Sequence, residues 1–329
     1  MNSIRSVVKS ATAQAIALTA IDRFAVAARH RAFPFVAAYH RVVENFGALD
    51  GVALPAMEIT ARMFEKHVDW IASRFEIISL DDFGSITQRR KKSKPLAAIT
   101  FDDGYSDVYH HAFPILKRKG IPAAFFVVTD LVGTSEPPLH ERLHALLARS
   151  GAADPFAMTR FELARLSQQE LLNVIHELER TIDIGEEWRV PLKPLDWNML
   201  REMRDAGMTI GSHTRSHPVL TREIYDRVRN EAEESRRAIE KHVGTKATCF
   251  AYPNGSFNRT VVDTVHDAGY DFAFTICRHR DERNPQLTIP RKMFWERSCL
   301  DASGNFSPAI MSCHAATMFD AFSRCSDNH

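Results

Sequence analysis

Little in this sequence points to binding through bulk charge, to disulfide cross-linking or to a lipid span. Its 42 Lys and Arg are offset by 41 Asp and Glu, leaving a net charge of +1. No field of one sign draws nucleic acid or an anionic membrane surface, and no nucleic-acid partner is expected. The one basic run, Arg89 to Lys92, is short, precedes a predicted strand and fits a solvated helix end. Five cysteines (Cys249, Cys277, Cys299, Cys313, Cys325) form an odd set with irregular spacing and no C-x-x-C pair. A disulfide framework is therefore not expected, and a reducing compartment fits. No stretch reaches the ~18 apolar residues of a transmembrane helix. Ala11 to Ile21 follows Arg5 and Lys9, but it holds Thr12, Gln14 and Thr19 and runs straight into Asp22-Arg23. It lacks the apolar run and the small-residue cleavage site of a secretory leader. Residues 1–34 thus read as an amphipathic helical segment, packed on the domain or making a peripheral membrane contact. The cytoplasm is the expected location.

What the sequence does have is a cadence. With 45% hydrophobic and 25% charged residues it has the composition of an ordinary enzyme with a large core. A charged helix, a glycine and a β-rich run recur in order. Lys117-Arg118-Lys119-Gly120 precedes Ala123 to Val128, Arg204-Asp205-Ala206-Gly207 precedes Met208 to Gly211, Lys241-His242-Val243-Gly244 precedes Ala247 to Tyr252, and His266-Asp267-Ala268-Gly269 precedes Tyr270 to Ile276. Glycine after a basic last turn is a helix C-cap signature. Phe35 to Tyr39 and Glu76 to Ser79, separated by a helical pattern through Phe64, Val68 and Ile71, extend the alternation. Strands alternating with helices predict a parallel α/β sheet, and this many units favour a closed β/α barrel over an open sheet. The barrel is expected over 35–298. Residues 134–195 break the cadence and read as a helical insertion, and 299–329 as a weakly patterned tail.

Four polar clusters each end a predicted strand: Tyr39-His40, Asp102-Asp103, His213 and Pro253-Asn254-Gly255. In parallel β/α folds the catalytic groups gather at the C-terminal mouth of the strands, so these should converge. Asp102-Asp103 in Thr100-Phe101-Asp102-Asp103-Gly104 could simply cap the next helix. The pair His213 and His217, four residues apart, would bring two imidazoles together through one helical turn. Two imidazoles and a carboxylate suit a divalent metal with open positions, and the second aspartate is then free to act as a base. Zinc is the first expectation. The same donor set also serves Fe(II) in oxygenases, but the extra aspartate favours hydrolysis. The string His140-Glu141-Arg142-Leu143-His144 matches the metalloprotease pattern H-E-x-x-H. No buried strand precedes it and Arg142 would be buried in such a site, so its histidines are read as decorating an amphipathic helix with Leu139, Leu143, Leu146 and Leu147 on the apolar side.

These residues resemble the polysaccharide deacetylases, the NodB-like carbohydrate esterase family four. Thr100 to Gly104 is that family's T-F-D-D-G, His213 to His217 satisfies its H-[ST]-x-x-H, and Phe250 to Gly255 is similar to a third motif. The resemblance spans roughly 35–295 outside the insertion. It implies a distorted (β/α)7 barrel that removes N-acetyl groups from N-acetylglucosamine-type sugars such as chitooligosaccharides. It further implies that Asp103, His213 and His217 bind the metal, that Asp102 is the general base and that the Asn254 backbone N–H helps hold the oxyanion. Two departures stand out. Ala251 occupies the place of a base-orienting arginine, for which Arg291 in Ile289-Pro290-Arg291 is the expected substitute. The late Leu-x-His motif is missing, and His40 in Tyr39-His40-Arg41-Val42 is the expected acid. The alternatives are a deacylase of another acylated or lipid-linked sugar, and a carbohydrate-binding pseudoenzyme that kept the metal.

Overall fold

The computed structural model describes residues 2–18, 34–49, 51–86, 94–185 and 187–319. Its strands are β1 (Phe35–Tyr39), β2 (Arg41–Val43), β3 (Glu58–Thr60), β4 (Glu76–Ile77), β5 (Leu96–Phe101), β6 (Ala124–Val127), β7 (Thr209–Ser212), β8 (Cys249–Ala251), β9 (Phe272–Thr275), β10 (Ile289–Pro290) and β11 (Lys292–Met293). The helices are α1 (Asn2–Leu18), α2 (Ala61–Arg74), α3 (Phe83–Ile86), α4 (Phe113–Lys119), α5 (Leu139–Arg149), α6 (Pro155–Arg165), α7 (Gln168–Glu179), α8 (Trp197–Asp205), α9 (Tyr225–Val243), α10 (Arg259–Asp267) and α11 (Pro308–Ala315).

The main sheet runs in the order β10-β9-β8-β7-β6-β5-β1-β11, with β4 beside the start of β5. Every pairing is parallel. β10 and β11 are one extended segment broken at Arg291: Ile289 and Pro290 pair with β9, while Lys292 and Met293 pair with β1. The two ends of the sheet thus meet on a single stretch of chain. The result is a distorted (β/α)7 barrel: the cadence predicts a closed β/α barrel, and the family resemblance implies this form of it. β2 and β3 form a small separate pair.

Strand alternation divides the core into two clusters. Val36, Ala98, Ala124, Phe126, Ala251 and Phe274 form one, inside the barrel. Their sequence neighbours Phe35, Ala37, Ile99, Phe101, Phe125 and Phe250 join the other, under the helices. This is the period-two pattern of strands buried on both faces. The helices obey local rules. Thr60 caps α2 by accepting from the Met63 N–H, and Asp196 caps α8 by accepting from the Asn198 and Met199 N–H groups. Gly120 and Gly244 end α4 and α9 at φ 64° and 76°, a left-handed conformation in which a β-carbon would be strained.

The stretch from 134 to 195 contains α5, α6 and α7, and no strand among its described residues. These helices have an apolar cluster of their own, built from Leu143, Leu146, Leu147, Leu166, Leu171 and Ile175. Past residue 298 the chain is more regular than its weak pattern suggested. Ile310, Met311 and Cys313 of α11 are buried, and α11 packs against α1. Lys9 of α1 donates to the Ser298 carbonyl at 3.0 Å. Among the described residues no helix is long and apolar enough to cross a membrane.

One sequence expectation is corrected here. Cys249, Cys299 and Cys313 are free and buried, but Cys277 is disulfide-bonded. An odd count excludes a fully paired set and leaves room for a single bridge. The reducing-compartment argument for a cytoplasmic location therefore loses its ground.

Candidate metal centre and active site

Because the strands are parallel, the residues that follow them emerge on one face. Asp103 lies two residues past Phe101 of β5, in a left-handed conformation at φ 68° that turns the chain toward Gly104. His213 directly follows Ser212 of β7. Its backbone N–H donates to the Val127 carbonyl at 2.9 Å, which carries the sheet register one residue beyond the strand. His217 arrives by a route the sequence did not reveal. Residues 213–219 form no helical turn. Thr214 and His217 are left-handed instead, at φ 67° and 66°, and the Thr214 hydroxyl accepts from the His217 N–H at 2.8 Å. Two backbone reversals do what one turn of helix was expected to do.

Asp103, His213 and His217 each offer a donor atom, and all three lie within 4.8 Å of one another. Asp103 Oδ1 is 3.4 Å from His213 Nε2 and 3.2 Å from His217 Nε2, and the two Nε2 atoms are 3.2 Å apart. His213 Nδ1 lies 2.8 Å from the Ala251 carbonyl. A carbonyl only accepts, so the proton sits on Nδ1 and the Nε2 lone pair faces the cluster. Burial pushes the His213 imidazolium down to about 4, so at neutral pH the ring is the neutral species that a metal requires. Burial alone would raise the Asp103 carboxyl, but His140 and His217 hold it well below the usual carboxylate range. Both Asp103 oxygens are buried without a hydrogen-bond partner. A buried carboxylate costs several kcal/mol unless it is compensated, so this donor set fits a divalent cation.

The neighbouring Asp102 is held differently. Its carboxylate takes two parallel bonds from Arg291, Nη1 to Oδ1 and Nη2 to Oδ2, both 2.7 Å. Both side chains are buried, at 1% exposure for Arg291 and 4% for Asp102. Arg291 sits where β10 gives way to β11, its backbone N–H on the Thr275 carbonyl at 2.7 Å and its guanidinium over the Phe126 ring at 5.4 Å. Barrel closure therefore delivers the arginine to the aspartate. Burial would raise the Asp102 carboxyl, but Arg291 and then His213 overcome it and hold it below its ordinary value. Neither aspartate serves as a helix cap.

These groups line a cavity of about 180 Å³. His40, half-buried at the end of β1, and Asn254, exposed at the rim with φ 56°, are on its wall, as are Tyr252 and Met293. The structure thus brings together all seven sequence-expected residues: His40, Asp102, Asp103, His213, His217, Asn254 and Arg291.

The insertion also contributes, which the sequence reading missed. Phe156, Arg160 and Leu163 of α6 line the same cavity, and so does His140 of α5. The view that the H-E-x-x-H histidines decorate a solvent face is overturned, because His140, Glu141 and His144 are exposed by only 4%, 0% and 4%. α5 is buried on both sides, with its leucines against α6 and α7 and its polar first turn against the metal-ligand cluster. His140 Nε2 is 2.9 Å from the Tyr105 hydroxyl and 3.7 Å from Asp103 Oδ2. Tyr105 donates to Glu141 Oε1 at 3.1 Å, and the Leu54 N–H donates to Glu141 Oε2 at 2.9 Å. Burial pushes Glu141 up to about 7 against the pull of Arg41. The usable signal was the string itself, but the pair it places beside the cluster is His140 with Glu141, where the protease pattern directs attention to the two histidines.

Comparison with known proteins follows the same line. The family model described as polysaccharide deacetylase matches residues 89–273. YxkH of Bacillus subtilis, provisionally named a polysaccharide deacetylase, is 21% identical over 222 residues, 67% of this chain and 59% of its own. A poly-beta-1,6-N-acetyl-D-glucosamine N-deacetylase of Staphylococcus epidermidis is 29% identical over 105 residues, 30% of this chain and 36% of its own. The chain thus spans less than two thirds of the length of these curated relatives. The solved structure of the Streptococcus pyogenes deacetylase PplD in complex with acetate superposes with a TM-score of 0.56 at 18% identity, covering 82% of this chain and 95% of that one. IcaB from Ammonifex degensii gives 0.55 at 20% identity, over 86% and 96%. At these identities the likeness to solved structures is one of fold.

Proposed function

Since the chain belongs to the polysaccharide deacetylase family, we propose that it hydrolyses N-acetyl groups on a polymer or oligomer of N-acetylglucosamine-type sugars. The observation that carries this reading is the pair of adjacent aspartates in two environments. One is clamped by Arg291, and the other stands bare beside two imidazoles. Chitooligosaccharide was the substrate expected from the sequence. The named activity of the staphylococcal relatives favours a β-1,6-linked polymer instead.

Asp103, His213 and His217 are the residues that would hold a divalent cation, zinc by first expectation. When bound there, the cation would supply a Lewis acid that polarises the acetyl carbonyl and makes water more acidic. Asp102 is the base. Arg291 keeps it ionised and fixes its plane, so its oxygens can accept a proton from the attacking water, an assistance worth about 10²–10⁴-fold. The Asn254 backbone N–H donates to the carbonyl oxygen as negative charge develops on it; one such donor is worth about 3–4 kcal/mol. His40 gives a proton to the departing amine nitrogen. Phe156 and Leu163 would offer the substrate an apolar wall.

Acetate release from poly-β-1,6-N-acetylglucosamine and from chitooligosaccharides, with and without a chelator, tests the proposal. Release should be lost on chelation and restored by Zn²⁺. Asp102→Asn should keep the metal and lose at least ~10²-fold in turnover; Asp103→Ala should lose both. Equal metal content and equal activity in the two variants would overturn the assignment, and no release from either glycan would overturn the substrate class.

A further inference from the structure

The first turn of α5 lies against the metal-ligand cluster without belonging to it. His140 is outside the group whose donor atoms fall within 4.8 Å of one another. Yet its Nε2 is the polar atom facing Asp103 Oδ2, at 3.7 Å, while Oδ1 faces the two other imidazoles. We propose that His140 is a positioning residue of the metal centre: its electropositive Nε2 edge, with the N–H held on the Tyr105 oxygen, faces Oδ2, makes the two oxygens of Asp103 inequivalent and leaves Oδ1 for the cation. This rests on reading Asp103, His213 and His217 as the ligands.

Hydrogen-bond accounting places the proton. A phenol has one O–H to donate, and above its raised pKa of about 7 the Glu141 carboxylate is ionised and only accepts. Tyr105 donates to Glu141 Oε1 at 3.1 Å, so toward His140 Nε2, 2.9 Å away, its oxygen is an acceptor. His140 therefore carries its proton on Nε2, the nitrogen nearest Asp103. Glu141 in turn is fixed by the Leu54 N–H on its other oxygen. Behind Tyr105 stands Arg41, its guanidinium 5.3 Å from the Tyr105 ring centroid, with Nη1 on Glu58 at 2.9 Å and Nε on Asp107 at 2.8 Å. The line Arg41–Tyr105–Glu141–His140 joins the start of β2, the turn after Asp103 and the insertion into one buried set.

At 3.7 Å the contact with Oδ2 is an electrostatic attraction, too long for a formed hydrogen bond. It is nevertheless decisive, because neither Asp103 oxygen has a hydrogen-bond partner. Without His140, Oδ2 would lose the imidazole edge that attracts it, and the carboxylate could rotate away from His213 and His217. Outer partners of metal ligands typically contribute about 10–100-fold in metal affinity.

The test measures Zn²⁺ and Co²⁺ affinity by chelator competition, with the visible spectrum of the Co²⁺ form and the thermal melting of metal-free protein. His140→Leu keeps bulk and removes the donor; affinity should fall about 10–100-fold with an altered Co²⁺ spectrum. His140→Gln, whose amide nitrogen reaches the Nε2 position, should return affinity to within about threefold of the parent. Tyr105→Phe, which frees the tautomer, should weaken binding less than His140→Leu, and it serves with His140→Gln if His140→Leu does not fold. Parental affinity and spectrum in a folded His140→Leu protein overturn the inference while leaving the deacetylase reading intact. An equal loss in the Gln and Leu variants also overturns it, since bulk and not the N–H would then matter. Failure of the parent to bind either metal sinks the ligand assignment itself.

Discussion

Asp102 and Asp103 carry the same functional group on consecutive residues, and what separates their roles is their surroundings. Arg291 meets both oxygens of Asp102, whereas both Asp103 oxygens lack a hydrogen-bond partner. The consequence for pH follows from the sign of the shift. The Asp102 carboxyl is held below its ordinary value, so its ionised form contributes stability that is present above the unfolded pKa of about 3.9 and is lost as pH falls through the lower folded value. In Arg291→Met, the largest counter to burial is removed and that pKa rises. The variant is then penalised most at neutral pH, by about 3–5 kcal/mol for an uncompensated buried charge, and the penalty shrinks toward pH 3–4. Urea unfolding at several pH values should show the difference converge in acid, and the acid limb of kcat/KM should move to higher pH. A penalty independent of pH would contradict the pairing argument.

At the scale of elements, the informative ones are those the cadence did not include. Helix α6 presents Phe156, Arg160 and Leu163, spaced four and three residues apart, along one face toward the cavity. α5 presents His140 to the same space while burying Leu143, Leu146 and Leu147 in the insertion's own cluster. The insertion thus forms one wall of the site. Phe156→Ala should raise KM for glycan by about tenfold with kcat nearly unchanged, the signature of lost uniform binding. Metal affinity should not change, since Phe156 is absent from the ligand cluster and its supports. Steady-state kinetics on the two glycans check this, and an unchanged KM would remove α6 from the binding surface.

At the scale of the molecule, one cavity collects groups from the ends of β1, β5, β7 and β8, from the β10–β11 break and from the insertion. A cation held by two distant segments, Asp103 after β5 and His213 with His217 after β7, binds the folded chain and not the unfolded one. Saturation should therefore raise stability as RT ln(1 + [L]/Kd), about 2.7 kcal/mol at a hundredfold excess over Kd. Calorimetry with and without chelator should show the melting temperature rising with metal concentration in the parent and staying flat in Asp103→Ala. A flat response in the parent would contradict a site built across the barrel.

The alternation of strands and capped helices was legible because it is local: burial on two faces and glycine after a basic last turn both act within a few residues. The ligands were legible because motifs at strand ends must converge once the strands are parallel. Three things depended on the tertiary structure. The approach of His217 runs through two left-handed residues, which neither threonine nor histidine announces. The clamp of Arg291 on Asp102 exists because a two-residue strand pair closes the barrel at that point, and pairing partners are chosen across the whole sheet. The inward turn of His140 and Glu141 follows from burying α5 on both sides, whereas an amphipathic pattern by itself specifies one. Sequence determines which side chains are available at each strand end. Only long-range packing decides which of them share a low-dielectric cavity, because that depends on contacts between segments as far apart as Arg291 and Asp102, separated by 189 residues.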